Sequence, residues 1–179
     1  TQQVMGIAKL LLIGADKEPK ILSMLADMSV AKGEGVEETR DSYAEALRNL
    51  EPEVRAFWPA SPSPAVPYEK AGADVLYVAL AGSHSIVPAA AIMNAAGENW
   101  TLSSFEAVNF GTFVGDSAKA NAISSRIIEE ANRLGVKEVA VVECGTAFRV
   151  LRHMIGGQSF AVIAFVELID RYLDRKSVV

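Results

Sequence analysis

Apolar positions along the chain follow one period up to about residue 58 and a mixed period after it. Val4, Ile7, Ala8, Leu11 and Leu12 recur at helical spacing, and Gly14-Ala15-Asp16 then supplies a stop and a fresh cap. This predicts a short helical hairpin whose second arm carries Ile21, Leu22, Leu25 and Met28, with Pro19 tolerated in the first turn and Gly33 and Gly35 as breakers. Residues 36–57 resume the helical period, with Tyr43, Ala44, Leu47 and Leu50 on one face and Glu/Arg on the other; Pro52 restarts or kinks the helix. Pro59, Pro62, Pro64 and Pro67 then fall among Ser and Ala, a composition that cannot continue a helix and predicts an extended connector.

Beyond the connector, strand-like and helix-like segments alternate. Continuous apolar runs at 75–80, 139–142 and 160–163 predict buried strands. Helical patterns at 87–96, 118–134, 147–155 and 165–173 separate or follow them; Ile123, Ile127, Ile128, Ala131 and Leu134 form the inward face of the longest, and Gly135 ends it. Strands alternating with helices imply parallel pairing through right-handed crossovers. The expected fold class is α/β, a Rossmann-like parallel sheet flanked by helices and preceded by a helical segment. The expected organisation is a helical segment at 1–58, a connector at 59–73 and an α/β domain at 74–174.

Composition narrows the function classes. With 179 residues, half of them hydrophobic, the chain can bury a full core. A net charge of −5 without a clustered basic face gives no electrostatic footprint for nucleic acid. Cys144 is the single cysteine, so an intrachain disulfide is impossible, and neither a secretory leader nor a membrane-spanning apolar run is legible; the expected location is the cytoplasm. The chain opens on Thr1 rather than Met, directly into helical periodicity, which suggests a piece of a longer protein. The sequon Asn99-Trp100-Thr101 is read as chance.

In an open parallel sheet, ligands gather at the carboxyl ends of the strands. Three loops are predicted there: Ala81-Gly82-Ser83-His84, Asn109-Phe110-Gly111 and Glu143-Cys144-Gly145-Thr146. Cys144 precedes a helix N-terminus, where free amides favour a thiolate, with Arg149 in reach should its side chain turn back; the plainer alternative is an inert buried thiol. His84, beside Gly82, is either a proton carrier or ligand or an ordinary loop histidine, while His153 is read as a solvated helix position. Asp116 is better explained as a helix cap than as an acid, and Phe110 and Phe113 as packing aromatics. The sequence carries no G-x-G-x-x-G after a strand, Walker A, H-E-x-x-H, G-x-S-x-G or C-x-x-C.

Residues 74–173 nevertheless resemble the cysteine-rich (CCG) domains of iron–sulfur oxidoreductases related to heterodisulfide reductase. Val75-Leu76-Tyr77 resembles the family's opening strand, which leads to a first cysteine near Ala81; Asn109-Phe110-Gly111 stands where the Cys-Cys-Gly triplet falls. Glu143-Cys144-Gly145-Thr146-Ala147 resembles the C-x-x-C, with Cys144 at its first cysteine and Ala147 at its second. Ala161-Val162-Ile163 followed by Phe165-Val166-Glu167-Leu168-Ile169 is similar to the closing strand and helix. The chain also resembles heterodisulfide-reductase-like subunits of respiratory membrane complexes, which similarly carry an Asn-Phe-Gly and a Glu-Cys-Gly in these places.

The resemblance implies an upstream ferredoxin-like module whose exit is the helical segment, and other subunits of a redox complex as partners, through which the chain associates with a membrane. It also implies electron transfer through bound [4Fe-4S] clusters toward a disulfide or related acceptor. Of five family cysteine positions only Cys144 keeps its sulfur, so the chain alone is not expected to hold a cluster, which ordinarily takes four thiolates. Three readings follow. The first is a redox module with Cys144 as reactive thiol or single iron ligand and Gly82, His84, Asn109, Gly111 and Gly145 shaping the cofactor site. The second is a non-catalytic assembly domain that has lost its cluster, and the third a small-anion binder at the helix N-termini.

Overall fold

The computed structural model describes residues 2–32, 40–80, 82–142, 146–153 and 156–176. Four helices come first: α1 (Gln2–Gly14), α2 (Lys20–Lys32), α3 (Arg40–Asn49) and α4 (Glu51–Phe57). Pro52 sits in the first turn of α4, where its missing N–H is no loss, so the predicted restart is a new helix rather than a kink. Of the expected 36–57 element, residues 36–39 lie outside the described part, as do the breakers Gly33 and Gly35.

The sheet follows as β1 (Val75–Val78), α5 (Ser83–Ala95), β2 (Trp100–Leu102), α6 (Phe110–Val114), α7 (Ser117–Leu134), β3 (Glu138–Val141), α8 (Thr146–His153), β4 (Ala161–Ala164) and α9 (Phe165–Lys176). Its strand order is β2-β1-β3-β4, with every pair parallel. The predicted α/β, Rossmann-like class is therefore the observed one.

Alternation along β1 builds the core on both faces. Val75 and Tyr77 point to one side, where they meet Ile86, Val87, Ala90 and Met93 of α5 and Leu168 and Tyr172 of α9; Val54 of α4 and Leu47 of α3 join this layer. Leu76 and Val78 point to the other side, with Val139 and Val141 of β3, and meet Ile127, Ala131 and Leu134 of α7 and Leu151 of α8. Each face buries a continuous apolar layer, as an all-parallel sheet requires.

Several boundaries differ from the sequence expectation. A fourth strand, β2, was not expected; its three residues are too few to show a period, and it is placed by pairing Val75 with Trp100 and Tyr77 with Leu102. The first strand stops at Val78 rather than residue 80; the next carbonyl, that of Ala79, takes Ala107 N–H from outside the sheet instead of a ladder partner. Helix α5 begins at Ser83, four residues ahead of the expected start, and runs through Pro88, which brings no amide to the His84 carbonyl. β4 is offset by one residue and α8 begins one residue ahead of expectation, its expected last residues 154 and 155 lying outside the described part, and α9 runs three residues further.

The Pro-rich stretch lies along the outer edge of β2. Asn94 donates to the Ser63 and Ala65 carbonyls (2.9 and 2.8 Å) and accepts from Trp100 Nε1, while Leu102 N–H donates to Pro67 O. An edge strand covered in this way offers no free ladder to another chain. Among the described residues no helix is long and apolar enough to cross a membrane.

Candidate functional site

The strand order reverses between β1 and β3, since the chain leaves β1 toward β2 and returns on the other side. The carboxyl ends of these two strands therefore open the crevice in which such sheets hold ligands. Two described segments border it: the crossing segment 103–109 and the start of α8 at Thr146.

The crossing segment is fixed at both ends. Ser103 N–H donates to Tyr77 O at 2.8 Å and Ala107 N–H to Ala79 O at 2.6 Å, which draws the segment across the end of β1. Beneath it the buried Glu130 of α7 accepts from Ser103 Oγ (2.7 Å) and from Ser104 N–H (2.9 Å), so a carboxylate 3% exposed is satisfied on both oxygens. Thr146, the first residue of α8, joins this segment to α8. Its hydroxyl donates to Ala107 O and accepts from Asn109 N–H, both at 2.8 Å, and Ala147 N–H adds a bond to Ala107 O. Sequence reading did not single out this function of Thr146; its local signal is a threonine at the start of an apolar helical period, the usual place of a cap.

Gly82 and His84 stand together at the head of α5. Gly82 takes φ +101, a conformation suited to glycine, and a side chain there would press within 3.0 Å of His84 Nδ1. His84 is exposed and Gly82 is its immediate floor. Ser85 closes the turn by donating to Leu80 O at 2.7 Å, and Tyr77 OH donates to Ser85 O at 3.0 Å; burial among apolar side chains pushes the Tyr77 phenol above its ordinary pKa.

Asn109 and Gly111 serve packing as well as position. Asn109 is buried and its side chain is fully engaged, accepting from Thr112 N–H as the cap of α6 and donating to Ala120 O and Ser124 Oγ of α7. A Cβ on Gly111 would lie 2.2 Å from Ala120 N, so the missing side chain is demanded by the backbone of α7. Asp116 caps α7 through Lys119 N–H, as its sequence position implied. Phe110 and Phe113 pack on each other with centroids 5.9 Å apart, and His153 is exposed at the end of α8, edge-on to Phe148.

Cys144 and Gly145, with Glu143 and Ala81, lie outside the described residues; their flanks Leu80, Gly82, Val142 and Thr146 do not. Among the described residues no three His, Cys, Asp or Glu side chains gather. Searches with family models, curated protein sequences and solved structures find no match to this chain.

Proposed function

We propose that this chain is a module of an iron–sulfur oxidoreductase related to heterodisulfide reductase, taking part in electron transfer toward a disulfide or related acceptor, with Cys144 as its reactive sulfur. The supporting observation is the Thr146 joint. It ties Thr146, in the stretch resembling the family's C-x-x-C, to the backbone of Ala107 and of Asn109, the first residue of the stretch resembling its Cys-Cys-Gly. In sequence, Cys144 stands two residues ahead of α8, where helix amides favour an anionic sulfur.

The donor set does not fit a cluster held by this chain alone. There is one cysteine, Asn109 spends its amide inside the fold, and Ala147, at the place of a second thiolate, is a buried methyl group. Within a redox complex, the contribution of this chain is thus one sulfur and the loops that frame it, with further iron ligands coming from partner subunits. The same observation on Asn109 and Ala147 favours the runner-up, a domain retained for assembly after loss of its cluster site.

Alkylation of Cys144 in the 179-residue chain across pH separates the two. A thiol pKa clearly below the ordinary ~8.5 supports a reactive sulfur, and an unshifted one leaves the assembly reading. Iron and sulfide added anaerobically to the chain alone should give no visible cluster band under either reading, since one thiolate does not hold a cluster.

A further inference from the structure

Helix α1 wears its apolar side outward. Gly6, Lys9 and Ile13 are its partly buried positions, and an added Cβ on Gly115 would meet Lys9 Cβ at 2.6 Å, which marks the side lying on the body of the protein. The opposite side is apolar and open: Val4 is 66% exposed, Met5 57%, Leu11 69% and Leu12 41%, around an exposed Ala8. Soluble helices normally show the reverse.

The order of these residues is self-complementary. Ala8 is the midpoint of Gln2–Gly14, and Val4, Met5, Leu11 and Leu12 are its neighbours at −4, −3, +3 and +4. At 3.6 residues per turn all five fall within about 60° of the Ala8 direction. If a second α1 is laid antiparallel across a two-fold axis through Ala8, Val4 faces Leu12 of the other copy, Met5 faces Leu11, and the small Ala8 faces itself at the crossing. Lys9, the only charge on the helix, stays off the contact, so no like charges oppose one another.

The four large residues of this face, Val4, Met5, Leu11 and Leu12, are 41 to 69% exposed. They leave on the order of 400 Å² open, within the ~300–600 Å² patch of a monomer and about half of the ~800 Å² each partner buries in a standard interface, which suits a weak, concentration-dependent pair. A membrane surface is the poorer occupant, because the apolar arc lacks the cationic border of interfacial helices.

We propose that the outer face of α1 is an isologous interface covered by α1 of a second copy of this chain. In sedimentation across roughly a hundred-fold concentration range, wild type should approach twice the monomer mass and Leu11→Glu should stay monomeric with unchanged circular dichroism. In a Cys144→Ser background, Ala8→Cys should form a disulfide-linked dimer on oxidation much faster than Lys9→Cys. Helices packed ~8–10 Å apart bring facing Cα atoms within disulfide reach, whereas Lys9 points to the body. A wild type that stays monomeric, a dimer that survives Leu11→Glu, equal cross-linking at positions 8 and 9, or flotation of the chain with lipid vesicles that requires Leu11 would each overturn the proposal.

Discussion

Asn109 and Gly111 show how one loop answers two demands at the level of single residues. In sequence, the triplet is one of three loops expected at the carboxyl edge of the sheet and stands where the Cys-Cys-Gly of the resembled family falls. In the fold, Asn109 uses every polar atom of its side chain on α6 and α7, and Gly111 admits the α7 backbone at a distance no Cβ tolerates. Gly111→Ala must therefore push α6 off α7, and overpacking against backbone that cannot yield should cost about 3 kcal/mol, read as a lowered urea midpoint with an unchanged slope. A midpoint within error of wild type would show that α6 shifts freely. The cap by Asn109 was locally legible, since Asn ahead of a helix is a standing signal. Its bonds to Ala120 and Ser124 and the Thr146 joint were not, because nothing in a local hydrophobic period reports a partner 11 or 37 residues away.

Among the elements, the long and strongly periodic ones were legible and the short ones were not. The buried strands β1 and β3 and helix α7 show clear apolar patterns, whereas β2 has three residues and no pattern of its own. The start of α9 at Phe165 was legible, but β4 was placed one residue early, since no turn residue separates strand from helix and Ala164 passes straight into Phe165. There the stop is a side-chain cap. Glu167 accepts from Ala164 N–H at 2.6 Å and from Arg152 at 2.9 Å, and the amide first, then the guanidinium, hold its carboxyl below the usual carboxylate range. A carboxylate whose folded pKa is depressed contributes stability that is complete above its unfolded value, ~4.3, and is lost as pH falls through the lower folded value. Glu167→Gln should therefore melt below wild type at neutral pH, with the gap closing as pH drops under about 4. A gap independent of pH would assign the effect to packing instead.

Across the whole molecule, the two apolar layers are joined through a sheet of only four strands, so an event that charges one layer is felt by all of it. Two of the four tyrosines lie where this matters. Tyr77, on the central strand, packs against Trp100 and Phe165, and burial raises its phenol well above the ordinary value. Tyr43 of α3, stacked edge-on against Tyr68, is pushed up to about 12, first by burial and then by Tyr68 and the carboxylates of Glu106 and Glu130. In the unfolded chain both ionise near ~10, so above that pH the unfolded state has released protons that the folded state still holds, and stability must fall as pH rises toward the folded values. An alkaline titration followed by phenolate absorbance and by circular dichroism should show these two rings ionising together with loss of the fold. Tyr77→Phe and Tyr43→Phe should each move the alkaline unfolding midpoint upward relative to neutral-pH stability. Full ionisation of all four tyrosines with the helical signal intact would mean that the layer between α3, α5 and β1 opens to water without unfolding.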